Sequence, residues 1–225
     1  MKYYPINLDI RNRNCLVVGG GQVGTRKVNG LLRSGALVTI VSPEATEGIA
    51  RLAQNERVVW FERNYQSSDM QDKFLVIGAT DDEALNRKIH ADAQTYKVLC
   101  NIADRPAVCN FILPAVVHQG DLVITASTSG QSPAFAKRLR KELQRKYGEE
   151  YACFLTLMGS IRNKLLQEAH EPEAHKPLFE SLIDGGLLDA VAEGNVEAID
   201  KILVAVLGDG YTFTRLMPKK QEANK

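Results

Sequence analysis

Three glycines and one aspartate carry most of the chemistry that can be read from this chain. Gly19, Gly21 and Gly24 stand in GxGxxG spacing within LVVGGGQVGTRK, directly after an apolar run and at the start of a helical pattern. In that setting Gly19 permits a tight turn, Gly21 lets backbone amides approach a pyrophosphate, and Gly24 allows a strand and a helix to pack closely. The helix N-terminus, at Gln22 and Val23, adds partial positive charge, so the stretch predicts a dinucleotide site. The aspartate is Asp104 in NIADRPAVCNF, where it stands directly before Arg105 and Pro106. Ordinary turn chemistry accounts for that sequence. Its place just beyond a strand-like run also suits a carboxylate that takes a proton from a bound substrate.

The adenosine end of a dinucleotide calls for an acidic or hydroxyl partner at the end of the second strand. Here Leu37–Val41 is followed by Ser42-Pro43-Glu44. The acid arrives later than the usual pattern, and Ser42 is itself a candidate hydroxyl partner. Glu44 reads equally as an exposed residue in the first turn of a helix, where the macrodipole favours it. With no Arg or Lys at that strand end to meet a 2′-phosphate, NAD is expected rather than its phosphorylated form. Gly78, Ala79 and Thr80 are small residues on which a cofactor can lie across the strand tips, and Asn101 completes the expected cofactor contacts. Thr80 or Asp81 also reads as the N-cap of the next helix, with Asp82 and Glu83 in its first turn.

The elements that must position these residues alternate. Strand-like runs at Cys15–Val18, Leu37–Val41, Val58–Phe61, Phe74–Ile77 and Val98–Ile102 are separated by helical patterns at Gln22–Arg33, Glu44–Gln54 and Asp82–Tyr96. This rhythm predicts an α/β, Rossmann-type parallel sheet over residues 1–113, with its ligand at the carboxyl ends of the strands. Ala115–His118 and Leu122–Ala126 then flank Gln119-Gly120-Asp121 as an antiparallel hairpin. A helix from about Ala134 to Tyr147 follows, with Ser132 as N-cap and Pro133 at its first position. Residues 114–148 thus form a small α+β module whose hairpin needs a cover, as in a dimer. Residues 149–225 read as a helical region ending in a disordered polar tail.

Composition excludes some classes of function. The formal net charge of +1, with 44% hydrophobic and 24% charged residues, gives no global attraction to nucleic acid or membrane. The N-terminus has no basic-then-apolar leader and no run approaches the roughly 18 apolar residues of a membrane span, so the expected location is the cytoplasm. Cys15, Cys100, Cys109 and Cys153 lack CxxC spacing and read as buried small hydrophobes. The four histidines are not in ligand spacing, and no resident metal site is expected. One local patch stands out: Lys137, Arg138, Arg140, Lys141, Arg145 and Lys146 share a helix with apolar Ala136, Leu139 and Leu143. It reads either as a solvated amphipathic helix or as a cationic face for a polyanionic ligand. Nucleic acid is the poorer partner, because no interleaved aromatics accompany the charges and Glu142 dilutes them.

Together, YYPINLDIRNRNCLVVGGGQVGTRKVNGLL, GATDD, CNIADRPAVCNFILPAVV and ITASTSGQSPAFAKRLRKEL resemble, in order and spacing, the precorrin-2 dehydrogenase family of siroheme biosynthesis. That family includes the amino-terminal half of the trifunctional siroheme synthase and dehydrogenase–ferrochelatases. The resemblance covers roughly residues 1–147. It implies a homodimeric, NAD-dependent enzyme that oxidises precorrin-2 to sirohydrochlorin, with Asp104 at the position of the catalytic carboxylate. It also implies substrate contacts from the serine-rich loop, Ser127, Thr128, Ser129 and Ser132, and the octacarboxylate substrate suits Lys137 and Arg138. One alternative is a bifunctional enzyme that also inserts metal into sirohydrochlorin, with Fe2+ or Co2+ as a transient substrate ion. A second is a non-catalytic NAD-sensing module, against which a carboxylate at the strand tips argues.

Overall fold

β1 (Asn14–Gly20) is the central strand of the first sheet, and its sequence, NCLVVGG, buries side chains on both faces. Alternate residues point to opposite sides of a strand, so Cys15 and Val17 enter one core and Leu16 and Val18 another. β2 (Leu37–Ala45), β3 (Val59–Phe61), β4 (Leu75–Gly78) and β5 (Leu99–Ile102) complete a five-stranded sheet in the order β3-β2-β1-β4-β5. Every pairing in it is parallel. α1 (Gln22–Arg33) and α2 (Glu47–Gln54) cover one face through Val28, Leu31 and Ile49. α3 (Glu83–Tyr96) covers the other through Ile89 and Ala93. The chain thus winds outward from β1 to β3, then crosses to β4 on the far side of β1. That reversal opens a crevice at the carboxyl ends of β1 and β4, where ligands of such sheets bind.

This computed structural model describes residues 3–103, 105, 109–168 and 175–217. Asp104 and the expected polar tail beyond Met217 lie outside the described residues. The chain divides into two compact units, Met1–Leu113 and Pro114–Lys225.

The second unit opens with the antiparallel pair β6 (Ala115–Gln119) and β7 (Leu122–Ala126). Gly120 makes its tight connection with φ +58, a left-handed conformation that favours glycine. α4 (Pro133–Lys146) packs on this hairpin. α5 (Glu150–Gln167), α6 (His175–Asp184), α7 (Leu187–Ala192), α8 (Val196–Leu207) and α9 (Phe213–Leu216) follow. They share one apolar core built on Leu157, Ile161, Leu182, Leu187, Ile199 and Leu203. Phe213 N–H donates to Asp200 Oδ1 and Lys164 Nζ to the Gly210 carbonyl, tying down the last turn. No helix among the described residues is long and apolar enough to cross a membrane.

Three boundaries differ from the sequence expectations. β2 does not stop at Val41 but runs through Ser42, Pro43 and Glu44 to Ala45, because Gly20 pairs with Ala45 across an irregularity in β1. Glu44 is therefore at a strand end, and α2 begins at Glu47 with Thr46 as its N-cap. The cap of α3 is neither Thr80 nor Asp81 but Asp82, whose Oδ1 accepts from Ala84 and Leu85 N–H. Two short helices, α7 and α9, were not expected.

Candidate functional site

The glycine loop is shaped by what surrounds it. Gly19 has φ +111, and a Cβ there would collide with the Ala79 carbonyl, so the end of β1 lies directly against the end of β4. The same closeness shows in the bond from Ala79 N–H to the Val18 carbonyl at 2.7 Å. A Cβ on Gly24 would strike the Gly19 carbonyl oxygen, which is the close strand–helix approach expected of it. Gly20, which the motif leaves unspecified, is equally constrained: a Cβ there would strike the Glu44 carbonyl and crowd Ala45. No sequence signal distinguishes Gly20, since its restriction comes from β2 overrunning beside it.

Gly21 is different. Nothing lies within 4 Å of where its Cβ would be, and its φ of −72° is open to any residue. The glycine there leaves room beside the backbone. α1 begins at the next residue with no side-chain cap and no acidic residue in its first turn, so the amide groups around Gln22 and Val23 keep their unspent hydrogen-bonding capacity. Twelve helical residues stand behind that N-terminus, and their dipoles favour a negative group at it. The cradle fits a pyrophosphate, and the residues present suit a dinucleotide.

The β2 end borders the loop. Ser42 is 9% exposed, and its hydroxyl accepts the Gly20 N–H at 2.9 Å. Its carbonyl accepts from the Trp60 indole at 3.0 Å. Ser42, expected as a hydroxyl partner for the cofactor, uses its oxygen to hold Gly20. Pro43 and Glu44 are exposed beyond it.

At β4, Gly78 is closely packed: a Cβ would come within 2.6 Å of Ile102 Cδ1 and 3.2 Å of Asn86 Oδ1. Thr80 Oγ1 accepts from Asp82 N–H at 3.1 Å, and the Thr80 carbonyl accepts from Asn86 Nδ2 at 2.9 Å. Asn86, 5% exposed, thus sets the turn that presents Thr80, a role that nothing in the sequence marks in a helical Asn.

The end of β5 carries the chain to and from Asp104. Ala103 N–H donates to the Gly78 carbonyl at 2.8 Å, and Arg105 pairs with Glu83 at 2.9 Å. The return is laced to β5: Asn110 Oδ1 accepts from Cys100 N–H, and Asn101 Nδ2 donates to the Phe111 carbonyl. Asn101, expected as a cofactor contact, is 7% exposed and committed at its amide nitrogen to this lacing. The Cys109 sulfur lies 3.1 Å from Ile102 N and 3.1 Å from the Arg105 carbonyl oxygen. Burial raises the Cys109 thiol above its ordinary pKa against the lowering pull of the Ile102 N–H and Lys27. The thiol therefore keeps its proton and can donate it to a carbonyl. Burial likewise pushes Cys15 up to about 11 and Cys100 up to about 12, as inert core thiols.

In the second unit, Ser132 caps α4 by accepting from Phe135 N–H at 3.3 Å, with Pro133 next in the chain. Thr128 Oγ1 accepts from Ser132 N–H at 3.0 Å and Ser127 Oγ from Ser129 N–H at 3.2 Å. Ser129 (φ +53) and Gly130 (φ +87) turn the loop. Lys137 and Arg138 are both exposed on α4, where they line a shallow surface with Lys141 and Arg145; Arg138 is paired with Glu142 at 2.9 Å. Among the described residues no group of His, Cys, Asp and Glu is arranged to hold a metal ion.

A family profile described as "Putative NAD(P)-binding" matches residues 6–115, and one described as "Sirohaem biosynthesis protein central" matches residues 119–146. The siroheme synthase of Ruthia magnifica subsp. Calyptogena magnifica is 30% identical over 216 residues, covering 96% of this chain and 46% of the relative. That of Nitrosospira multiformis is 33% identical over 202 residues, covering 88% and 43%. The chain thus spans under half the length of these relatives. A solved structure of SirC, precorrin-2 dehydrogenase, matches with a TM-score of 0.73 at 26% identity, over 89% of this chain and 98% of that one.

Proposed function

Because the chain belongs to the precorrin-2 dehydrogenase and siroheme synthase N-terminal family, we propose that it oxidises precorrin-2 to sirohydrochlorin with NAD as hydride acceptor. The observation that carries this reading is the open Gly21 beside an uncapped helix N-terminus at the β1/β4 switch point. NAD, when bound, supplies the nicotinamide that takes up the hydride. The protein's own work is to hold and orient. The amides around Gly21, Gln22 and Val23 bind the pyrophosphate. Pro43 and Glu44 face the adenosine ribose, with Glu44 favouring free hydroxyls over a 2′-phosphate. Thr80 and the end of β5 flank the nicotinamide.

Loss of a hydride from carbon leaves a proton to be removed, and Asp104 is the general base in this reading. Its chain neighbours support that role, since Ala103 is bonded to β4 and Arg105 to α3. Ser127, Thr128, Ser129 and Ser132 with Lys137 and Arg138 receive the carboxylate-rich rim of the macrocycle. The enzyme works as a homodimer. Supporting this, the hairpin face carrying Val116, His118, Val123 and Thr125 lies opposite the face that turns Val117 to the interior, and Val123 is 45% exposed. Its four unpaired cysteines suit the reducing cytoplasm.

The test is to mix the protein anaerobically with precorrin-2, with and without NAD, and follow the sirohydrochlorin spectrum. Formation only with NAD is expected, and formation at the same rate without it would overturn the proposal.

A further inference from the structure

We infer that Ser42 is a positioning residue which, with Thr46 and Thr25, locks the phosphate-binding and ribose-binding halves of the dinucleotide site into one unit, and does not itself contact the ribose. The inference rests on the cofactor reading above and concerns how this chain builds the site.

Five bonds carry it. Gly20 is held on both sides: its N–H donates to Ser42 Oγ at 2.9 Å, and its carbonyl accepts from Thr46 N–H at 3.0 Å. Gly21, the open residue of the cradle, has its carbonyl held by Thr25 Oγ1 at 3.0 Å. Thr25 Oγ1 also lies 2.7 Å from Thr46 Oγ1, which accepts from Ile49 N–H at 3.4 Å. A hydroxyl has one proton and can accept as well as donate. Only one direction uses every group: Ile49 N–H to Thr46, Thr46 O–H to Thr25, and Thr25 O–H to the Gly21 carbonyl. The first turn of α2 is thereby wired to the residue that faces the pyrophosphate.

Ser42 completes the ring from the other side. It lies in β2 one residue before Pro43 and two before Glu44, so the residues proposed for the ribose continue directly from the residue that holds Gly20. With 9% exposure and its oxygen turned to Gly20, it has little surface to offer a ligand. Removing its hydroxyl frees Gly20 N–H inside the loop and loosens one tie between the two halves, while the Thr46 and Thr25 bonds remain, whatever substituents the ribose carries.

The experiment compares NAD with 2′-deoxy-NAD, the same dinucleotide lacking the adenosine 2′-hydroxyl, by titration calorimetry on the full chain. Ser42→Ala is expected to raise the Kd of both by the same factor, about three- to tenfold, as for one lost hydrogen bond. A loss for NAD with none for 2′-deoxy-NAD would make Ser42 the direct ribose partner and overturn the inference, as would unchanged affinity for both. Thr25→Val, which removes only a hydroxyl at a partly exposed position, is expected to show the same equal loss and serves if Ser42→Ala does not fold. Absence of NAD binding to the unsubstituted protein would overturn the cofactor reading along with this one; unequal losses would overturn this one alone.

Discussion

Gly24 leaves no room for a Cβ against the Gly19 carbonyl, whereas Gly21, three residues earlier, has open space around it. The two glycines of one motif therefore answer to different demands: Gly24 to the fold and Gly21 to the ligand. Gly24→Ala is expected to destabilise the protein by about 1–3 kcal/mol through overpacking. Gly21→Ala is expected to leave the melting temperature within about 1 °C and to weaken NAD binding at least tenfold, since a methyl group would occupy the approach to the backbone. Thermal melts and calorimetric titration of the two variants check the pair.

Asp69, in a short 3₁₀ turn at Ser67–Met70, accepts from Arg63 Nη1 and Nη2, at 2.9 and 2.6 Å, and from the Gln66 N–H. Burial alone would raise its pKa, but the Arg63 and Gln66 hydrogen bonds outweigh it and hold the carboxyl below its ordinary value of 3.8. A carboxyl whose pKa is depressed in the folded state stabilises the protein above its unfolded value and loses that contribution as pH falls through its folded one. Asp69→Asn is accordingly expected to lower the melting temperature by about 4 °C at pH 7. The gap should persist down to about pH 4 and close below it. Melts across that range provide the check.

Ser132 caps α4 as well as standing in the proposed substrate loop, whereas Lys137 has no capping role. Ser132→Ala removes the cap of α4 and is expected to cost about 1 kcal/mol of stability. Lys137→Gln touches no cap and is expected to leave stability unchanged while raising KM for the macrocycle about three- to tenfold at low salt, with the difference shrinking as salt is added. Initial rates at two ionic strengths, with NAD saturating, distinguish the two effects.

The Rossmann order was legible because it rests on signals that local sequence carries: apolar runs on β1, β2, β4 and β5, glycines at a strand end, and helical spacing between. The loop's own anchoring was not. Ser42-Pro43 looks like a strand terminus, and only the pairing of Gly20 with Ala45 extends β2 through it. Thr80, Asp81 and Asp82 are all competent caps by residue type; Asn86 reaching back to the Thr80 carbonyl accompanies the choice of Asp82. Asn101 sits at a strand tip where a ligand contact is reasonable, yet its amide is used to bind the returning chain at Phe111. For Ser42 and Asn101 the deciding partner is a backbone group brought near by tertiary packing, and for Asp82 it is a choice among adjacent cap-competent residues; neither is revealed by residue type and local spacing. α7 and α9, at six and four residues, are too short for helical periodicity to stand out.

The proposed transfer of a hydride from precorrin-2 to NAD can be read from single-turnover stoichiometry. Anaerobic mixing of the protein with NAD and limiting precorrin-2 should yield one NADH for each sirohydrochlorin formed, and Asp104→Ala should bind NAD normally while producing neither. Sirohydrochlorin appearing without matching NADH, or undiminished turnover in the Asp104 variant, would contradict the account.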